Sequence, residues 1–312
     1  MSGIQVENLV KTYSRGKVRA LDGVSLAIPS GGVFGVIGPN GAGKTTLMGC
    51  LMGFLNPDSG SIHVDGMDVE DIRVRLFTGF VPERLTFEKW MSGRSFTAYQ
   101  HALAKLPAPQ REQAVAAALT EVGLEETAWD RPIAKYSRGM LQRLALAQAI
   151  LGSPRYLFLD EPTSGMDPLG VMAVRNLLAK LKKQGCTIIL NSHQLEQVDR
   201  LCDQVVFVRQ GRVEAMETQR AGEEVERSLA VSWRKLEKGL SEAQLKTIIE
   251  PSGAQLKDFK EGQAEFLIKD DQGSEKLLAC LIQAHIPVIE AHSVEKRLER
   301  LFMKENDMEA KS

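Results

Sequence analysis

The chain has little cysteine and no paired cysteine. Its four, Cys50, Cys186, Cys202 and Cys280, lie far apart and form no Cys-x-x-Cys pair. That spacing argues against a disulfide scaffold and against a structural zinc site, and it fits a reducing cytosol. Long apolar runs are also missing. No stretch approaches the ~18 uninterrupted apolar residues that read as a bilayer span. Candidates such as residues 144–152 are short and flanked by charge or turn residues. Residues 1–12 hold no basic region followed by an apolar one, so no signal peptide is expected. An excess of one charge is absent as well. The 39 Lys+Arg against 40 Asp+Glu leave a formal net charge of −1, which argues against a protein built to coat nucleic acid or an anionic membrane. Internal repeats and low-complexity segments are not seen. What remains is a chain of 312 residues, 43% apolar and 25% charged. That is ordinary for a globular protein and long enough for about two domains with a sizeable core.

Residues 1–216 read as alternating strand and helix. Short apolar runs at 32–38 (GVFGVIG), 156–160 (YLFLD), 187–191 (TIILN) and 204–209 (QVVFVR) read as buried strands, with helical patterns between them at 45–55 and 169–184. Such alternation predicts an α/β sheet covered on both faces. Residues 86–149 differ. They are rich in Ala, Leu, Gln and Glu and show no convincing strand, so they predict a helical insertion. Composition shifts after Met216, and the polar stretch 217–226 suits a linker. Residues 217–312 are expected to form a small α+β accessory domain. Strand patterns at 229–233, 254–259, 264–269 and 288–291, with helices at 240–250 and 275–284, follow the order of a ferredoxin-like unit. A last helix is expected at 294–304.

Gly38-Pro39-Asn40-Gly41-Ala42-Gly43-Lys44-Thr45 fits the pattern GxxxxGK[ST]. It follows a strand pattern and opens a helical one, the context the motif requires. Glycines let backbone N–H groups turn inward as an anion nest, and the helix N-terminus adds its positive end. Lys44 would reach the β- and γ-phosphates of a nucleotide, and the Thr45 hydroxyl would coordinate Mg²⁺. From composition alone a chance match somewhere in the chain has odds of about one in a hundred. Asp160 ends an apolar strand pattern, which suits the second Mg²⁺ ligand. Glu161 follows directly, where a carboxylate could polarise an attacking water.

These two motifs do not choose among P-loop proteins. The segment Tyr136-Ser137-Arg138-Gly139-Met140-Leu141-Gln142-Arg143, just upstream of the Asp160 strand, resembles the signature sequence of the ATP-binding cassette (ABC) family. Ser164-Gly165-Met166-Asp167 resembles that family's D-loop, and His193 its switch histidine. Glu83, in Val81-Pro82-Glu83, stands where the family has its Q-loop glutamine. Tyr13 stands at the position of the aromatic that stacks on adenine. The resemblance covers residues 4–216. It departs from the common signature at Arg138 and Met140, which replace Gly and Gln. This signature variant, Glu83 in place of the glutamine, and the segment 291–302 are similar to those of ATPases that pair with ABC-2-type export permeases.

The resemblance implies an ATP-hydrolysing subunit at the cytoplasmic face of a membrane. It would work with ATP and Mg²⁺, with a separate transmembrane permease, and with a second ATP-binding subunit in a head-to-tail dimer, by default a homodimer. Nucleic acid is not expected as a partner. In that reading Gly38 to Thr45, with Thr46, hold phosphate, while Thr45 and Asp160, with Glu83, serve the metal. Glu161 acts as base, His193 senses the γ-phosphate, and Lys44 and Glu83 complete the catalytic set. Ser137 and Gly139 dock on the partner's nucleotide. Arg138 is either a phosphate-adjacent group or a solvated charge. Phe87 and Trp90 are either part of a permease-receiving surface or local packing. The alternative function is a soluble ABC ATPase that acts as an ATP-gated regulatory or clamp protein. Its relatives resemble tandem cassettes or cassettes split by coiled coils, whereas this chain has one phosphate loop and no heptad run.

Overall fold

The computed structural model describes residues 3–14, 16–192, 198, 201–218, 227–234, 239–268 and 271–293. The chain divides into two compact units, Met1–Gln219 and Arg220–Ser312.

The first unit holds two sheets. One has the order β10-β9-β3-β8-β7-β6, built from β3 (Val33–Ile37), β6 (Thr78–Val81), β7 (Tyr156–Asp160), β8 (Thr187–Asn191), β9 (Gln204–Arg209) and β10 (Arg212–Thr218). All its pairings are parallel except β9 with β10. Every residue of β3, β7 and β8 is buried. That is why these strands are apolar runs and not alternating patterns. The order β3-β8-β7 has a functional consequence. The strand that feeds the phosphate loop and the strand that ends in Asp160 are not neighbours, because β8 lies between them. All three point the same way, so their carboxyl ends open on one crevice, the usual ligand position in parallel sheets.

The second sheet is antiparallel, in the order β2-β1-β4-β5, from β1 (Gly3–Tyr13), β2 (Val18–Pro29), β4 (Ser59–Val64) and β5 (Met67–Asp68). It adds to the α/β layer read from the sequence. Helix α1 (Lys44–Leu51) ties the two sheets together. Its Leu47, Met48 and Leu51 share one buried cluster with Ile4, Leu9 and Leu21 of the antiparallel sheet and with Phe34, Val36, Phe158 and Ile189 of the parallel one.

A short helix α2 (Ile72–Arg75) precedes β6. The segment between β6 and β7 is helical: α3 (Gly93–Leu103), α4 (Arg111–Glu121), α5 (Glu126–Trp129) and α6 (Arg138–Ile150). Among its described residues the single β contact is an isolated bridge from Ser92 to Pro132. After β7 comes α7 (Pro168–Lys183), capped by Asp167, whose side chain accepts from the Gly170 N–H at 2.6 Å. The strand β10 runs to Thr218, two residues into the stretch read as linker. Glu217 and Thr218 are held by pairing with Val205 and Gln204.

The second unit runs β11 (Arg227–Trp233), α8 (Glu242–Ile249), β12 (Gln255–Lys260), β13 (Gln263–Ile268), α9 (Asp271–Gln283) and β14 (Val288–Ser293). The sheet order is β12-β13-β11-β14, with every pairing antiparallel. Along β13, Ala264, Phe266 and Ile268 are buried. They join Val231, Leu245, Leu277 and Leu281 in a core of their own. A reciprocal cap of Ser241 and Gln244 opens α8. The helix expected at 294–304 lies outside the described residues.

Candidate active site

Two glycines of the phosphate loop, Gly38 and Gly43, have no room for a side chain. Gly38 has φ +154, and a Cβ there would lie 2.0 Å from the Val208 carbonyl oxygen. Gly43 has φ +103, and its Cβ would lie 2.3 Å from the Ala20 carbonyl oxygen. The loop is thus pressed against β9 and β2 by backbone contacts that leave no room for a side chain. It is pinned further by hydrogen bonds from Ala42 N–H to Pro39 O at 3.2 Å and from Gly211 N–H to Ala42 O at 2.9 Å. Pro39, Asn40 and Gly41 are exposed. Gly43 caps α1 with a left-handed backbone and no side-chain hydrogen bond. The first N–H groups of the helix therefore have no side-chain acceptor of their own, and they form an anion site.

Lys44 is buried, and its ammonium donates to Gly38 O at 2.8 Å and to Pro39 O at 2.9 Å. Burial lowers its pKa, an effect opposed by the nearby carboxylates of Glu161 and Asp160. Those carboxylates therefore share the crevice with the lysine. Asp160 is buried, and burial is the main cause of its raised pKa. Glu83 and Glu161 push it the same way, while a hydrogen bond from Asn191 and the charge of Lys44 oppose them. That bond runs from Asn191 Nδ2 to Asp160 Oδ1 at 2.6 Å. The Ser192 hydroxyl bonds Glu161 Oε2 at 3.2 Å.

Consecutive residues at the end of β8 thus serve consecutive carboxylates at the end of β7, as the pairing of Asp160 with Asn191 dictates. Sequence reading missed Asn191 and Ser192. The available signal was two polar residues closing an apolar strand pattern. Glu161 itself has φ +50, a left-handed backbone that is uncommon for a side-chain-bearing residue and costs of order 1–3 kcal/mol. Strain of this kind clusters at functional sites.

Thr45 and Thr46 lie in the first turn of α1, Thr45 exposed and Thr46 half-buried. The Tyr13 hydroxyl lies 3.5 Å from the Thr46 hydroxyl, and its ring is 38% exposed. That places an open aromatic face beside the loop, where a base could stack. Glu83 is exposed just past β6, close enough to act on Asp160. His193 lies outside the described residues.

Hard oxygen donors suit Mg²⁺. The crevice offers the Asp160 carboxylate, the Thr45 hydroxyl and the Asn191 Oδ1, which is buried without a hydrogen-bond partner among the described residues. No group of three or more His, Cys, Asp or Glu among those residues could hold a metal alone.

Ser137, Arg138 and Gly139 open α6 away from these groups in sequence. Ser137 is the cap, accepting from Met140 N–H at 3.3 Å. A Cβ on Gly139 would meet nothing within 4 Å. Arg138 is fixed on the turn after Glu161: its Nη2 donates to Ser164 Oγ at 3.0 Å. Phe87 packs edge-on against Phe96, ring centroids 5.1 Å apart, while Trp90 is 77% exposed.

A glycine-built phosphate loop facing paired carboxylates across a parallel sheet defines a P-loop ATPase cassette. Known proteins agree. The ABC transporter family matches residues 21–164. The ABC transporter ATP-binding protein sll0415 of Synechocystis is 36% identical over 216 residues, covering 67% of this chain and 61% of the relative. The lantibiotic transport ATP-binding protein SrtF of Streptococcus pyogenes is 34% identical over 211 residues, 67% of this chain and 88% of that protein. Among solved structures, cbiO1 of Clostridium perfringens, part of the ABC transporter complex cbiONQ, aligns with a TM-score of 0.62 at 33% identity. That alignment covers 70% of this chain and 89% of the other. The chain belongs to the ABC transporter ATP-binding family. It spans less than two thirds of the length of sll0415.

Proposed function

We propose that this chain is the ATP-hydrolysing subunit of a membrane ABC transporter of the ABC-2 export type. It would work as a head-to-tail dimer on the cytoplasmic face of the membrane, against a separate permease. The observation that carries the reading is the convergence of Lys44, Asp160 and Glu161 in one crevice at the ends of β3, β8 and β7.

The loop from Gly38 to Thr46 receives the phosphates, and Lys44 trades its two loop carbonyls for phosphate oxygens. Thr45 and Asp160 would hold Mg²⁺, with Glu83 beside them; when bound, the ion neutralises charge on the β- and γ-phosphates. Glu161, oriented by Ser192, takes the proton of the attacking water. His193 senses the γ-phosphate. Tyr13 stacks on the base.

The dimer reading draws on Gly139. Gly139 stands in the first turn of α6, and nothing in its own chain requires the missing side chain. Close approach by a second protomer's nucleotide does. Exposed Trp90 suits the face that receives the permease. The transport role of SrtF and the place of cbiO1 in a transporter complex support a membrane partner. Among the described residues no helix is long and apolar enough to cross a membrane. The second unit is read as a ferredoxin-like accessory domain.

Glu161→Gln tests the reading. Turnover is expected to fall by ~10²-fold or more, the scale of general-base catalysis. Losing one charge near the γ-phosphate also favours closure, since unit charges ~4 Å apart at an effective dielectric of ~20 interact by about 4 kcal/mol. The variant is therefore expected to run as an ATP-dependent dimer in gel filtration, and Lys44→Ala is not. A fully active Glu161→Gln protein removes Glu161 from the mechanism. An inactive variant that stays monomeric with ATP removes the sandwich.

A further inference from the structure

Arg138 is at odds with its local structure. It occupies the first position of α6, the positive end of the helix dipole, where a cation is disfavoured. Arg138 is exposed, yet its side chain lies along the chain's own surface. The guanidinium lies on Gly165 so closely that a Cβ there would come within 2.3 Å of its Cζ and Nε. Its Nη2 also donates to Ser164 Oγ at 3.0 Å. Gly165 has φ +72 and presents a bare backbone for this contact.

Ser164 is in turn joined to Glu161, because its N–H donates to the Glu161 carbonyl oxygen at 3.1 Å. Arg138 therefore reaches from the cap of α6 to the one-turn loop that holds Glu161 at φ +50. A strained backbone of this kind persists only where its surroundings over-determine it. The link from Arg138 through Ser164 is one such restraint. It begins beside Ser137 and Gly139.

We propose that Arg138 is a positioning residue that couples the anion site at the start of α6 to Glu161 of the same chain, through Ser164 and Gly165. Docking of Ser137 and Gly139 on the partner's nucleotide then fixes the Glu161 turn at the chain's own nucleotide. This rests on the sandwich dimer proposed above. It assigns the departure at Arg138 to communication between the two sites, with no contact between Arg138 and phosphate.

A double-mutant cycle on the full-length chain tests this, with Arg138→Ala, Ser164→Ala and the pair. Steady-state ATPase activity is measured alongside binding of a fluorescent ATP analogue. Each single change is expected to lower kcat by about tenfold, the scale of one charge-assisted hydrogen bond, with KM and analogue affinity within about twofold. The double variant is expected to be no worse than either single one. The Hill coefficient for ATP is expected to fall toward one in all three. Arg138→Lys, which keeps a donor but not the flat face, is expected to recover part of kcat.

Additive losses, or an inert Ser164→Ala, overturn the coupling. A rise in KM for Arg138→Ala that Lys fully reverses shows a direct phosphate contact, and overturns it as well. Glu161→Gln separates the two layers. If it dimerises with ATP and the cycle is additive, the coupling alone fails. If it stays monomeric with ATP, the sandwich fails and the coupling with it.

Discussion

Asn191 gives the sharpest test of how the carboxylates are held. Its Nδ2 donates to Asp160 Oδ1 at 2.6 Å inside a buried site. Burial already raises the Asp160 pKa, and Glu83 and Glu161 raise it further. The Asn191 bond does most to favour the ionised form, ahead of the charge of Lys44. Asn191→Leu keeps the size of the side chain and removes both the Nδ2 donor and the Oδ1 offered to the metal, and only loss of the donor acts through the Asp160 pKa. A hydrogen bond to a charged group is worth about 1.5–3 kcal/mol, so at acid pH the metal affinity of the ATP complex should fall by up to roughly 10- to 150-fold.

The pH dependence has a defined sign. Ionised Asp160 is the form that binds metal, and the substitution raises its pKa further. The defect should therefore be largest at acid pH and shrink as pH rises. The assay is a titration with Mn²⁺ in place of Mg²⁺ in the presence of a non-hydrolysable ATP analogue, with free Mn²⁺ read by electron paramagnetic resonance. This needs no turnover. A thermal melt without metal separates a local defect from a loss of fold. A folded Asn191→Leu protein with wild-type Mn²⁺ affinity at every pH would refute the argument.

Other outcomes follow from the same geometry. Tyr13→Ala should weaken ATP binding by roughly 1–3 kcal/mol, by analogy with base stacking on aromatics, whereas Tyr13→Phe and Tyr13→Trp should bind nearly as wild type. Equal affinity of the Ala and Phe variants in equilibrium dialysis would show that the ring does not stack. Gly38→Ala forces a Cβ to within 2.0 Å of the Val208 oxygen, so the loop or β9 must move by about 1 Å, at the 1–3 kcal/mol typical of overpacking. A lower melting temperature and weaker nucleotide binding are expected together, and an unchanged melt would contradict the close packing. Removing residues 220–312 should leave ATP binding intact, because the crevice is built entirely from the first unit. Weakened dimerisation or permease association is the expected loss, and a folded truncated chain that no longer binds ATP would place part of the site in the second unit.

The phosphate loop was legible in the sequence because its chemistry is contiguous. Glycines, lysine and threonine act within one turn of chain, and the buried strand before them is an unbroken apolar run. Asp160 and Glu161 were legible for the same reason. Asn191 and Ser192 were not, because they act across a pairing of parallel strands 31 residues apart in the chain. Nothing in the sequence states which strand lies beside which.

The antiparallel sheet also escaped the pattern. The pairing of β1 with β2 shifts register after Val6, after Leu9 and after Lys11, and Asn8 turns to φ +48. Each shift breaks the alternation by which a half-buried strand is recognised. The end of β10 reads as linker because it is polar. In the edge strand every second side chain, from Arg212 to Thr218, faces solvent. From sequence Arg138 admits two readings, since its contact with Ser164 and Gly165 depends on a fold that brings α6 to the turn after β7.

The two hydrogen bonds of Lys44 to Gly38 and Pro39 have a consequence for experiment. The ammonium is tied to two carbonyls of its own loop, so it braces the cradle as well as facing its interior. Any replacement of Lys44 by an uncharged residue changes two things at once. It removes the cation proposed to meet phosphate, and it strips two loop carbonyls of their donor. A dead Lys44→Ala protein reports the integrity of the loop as much as any grip on phosphate, and a thermal melt of the variant separates the two.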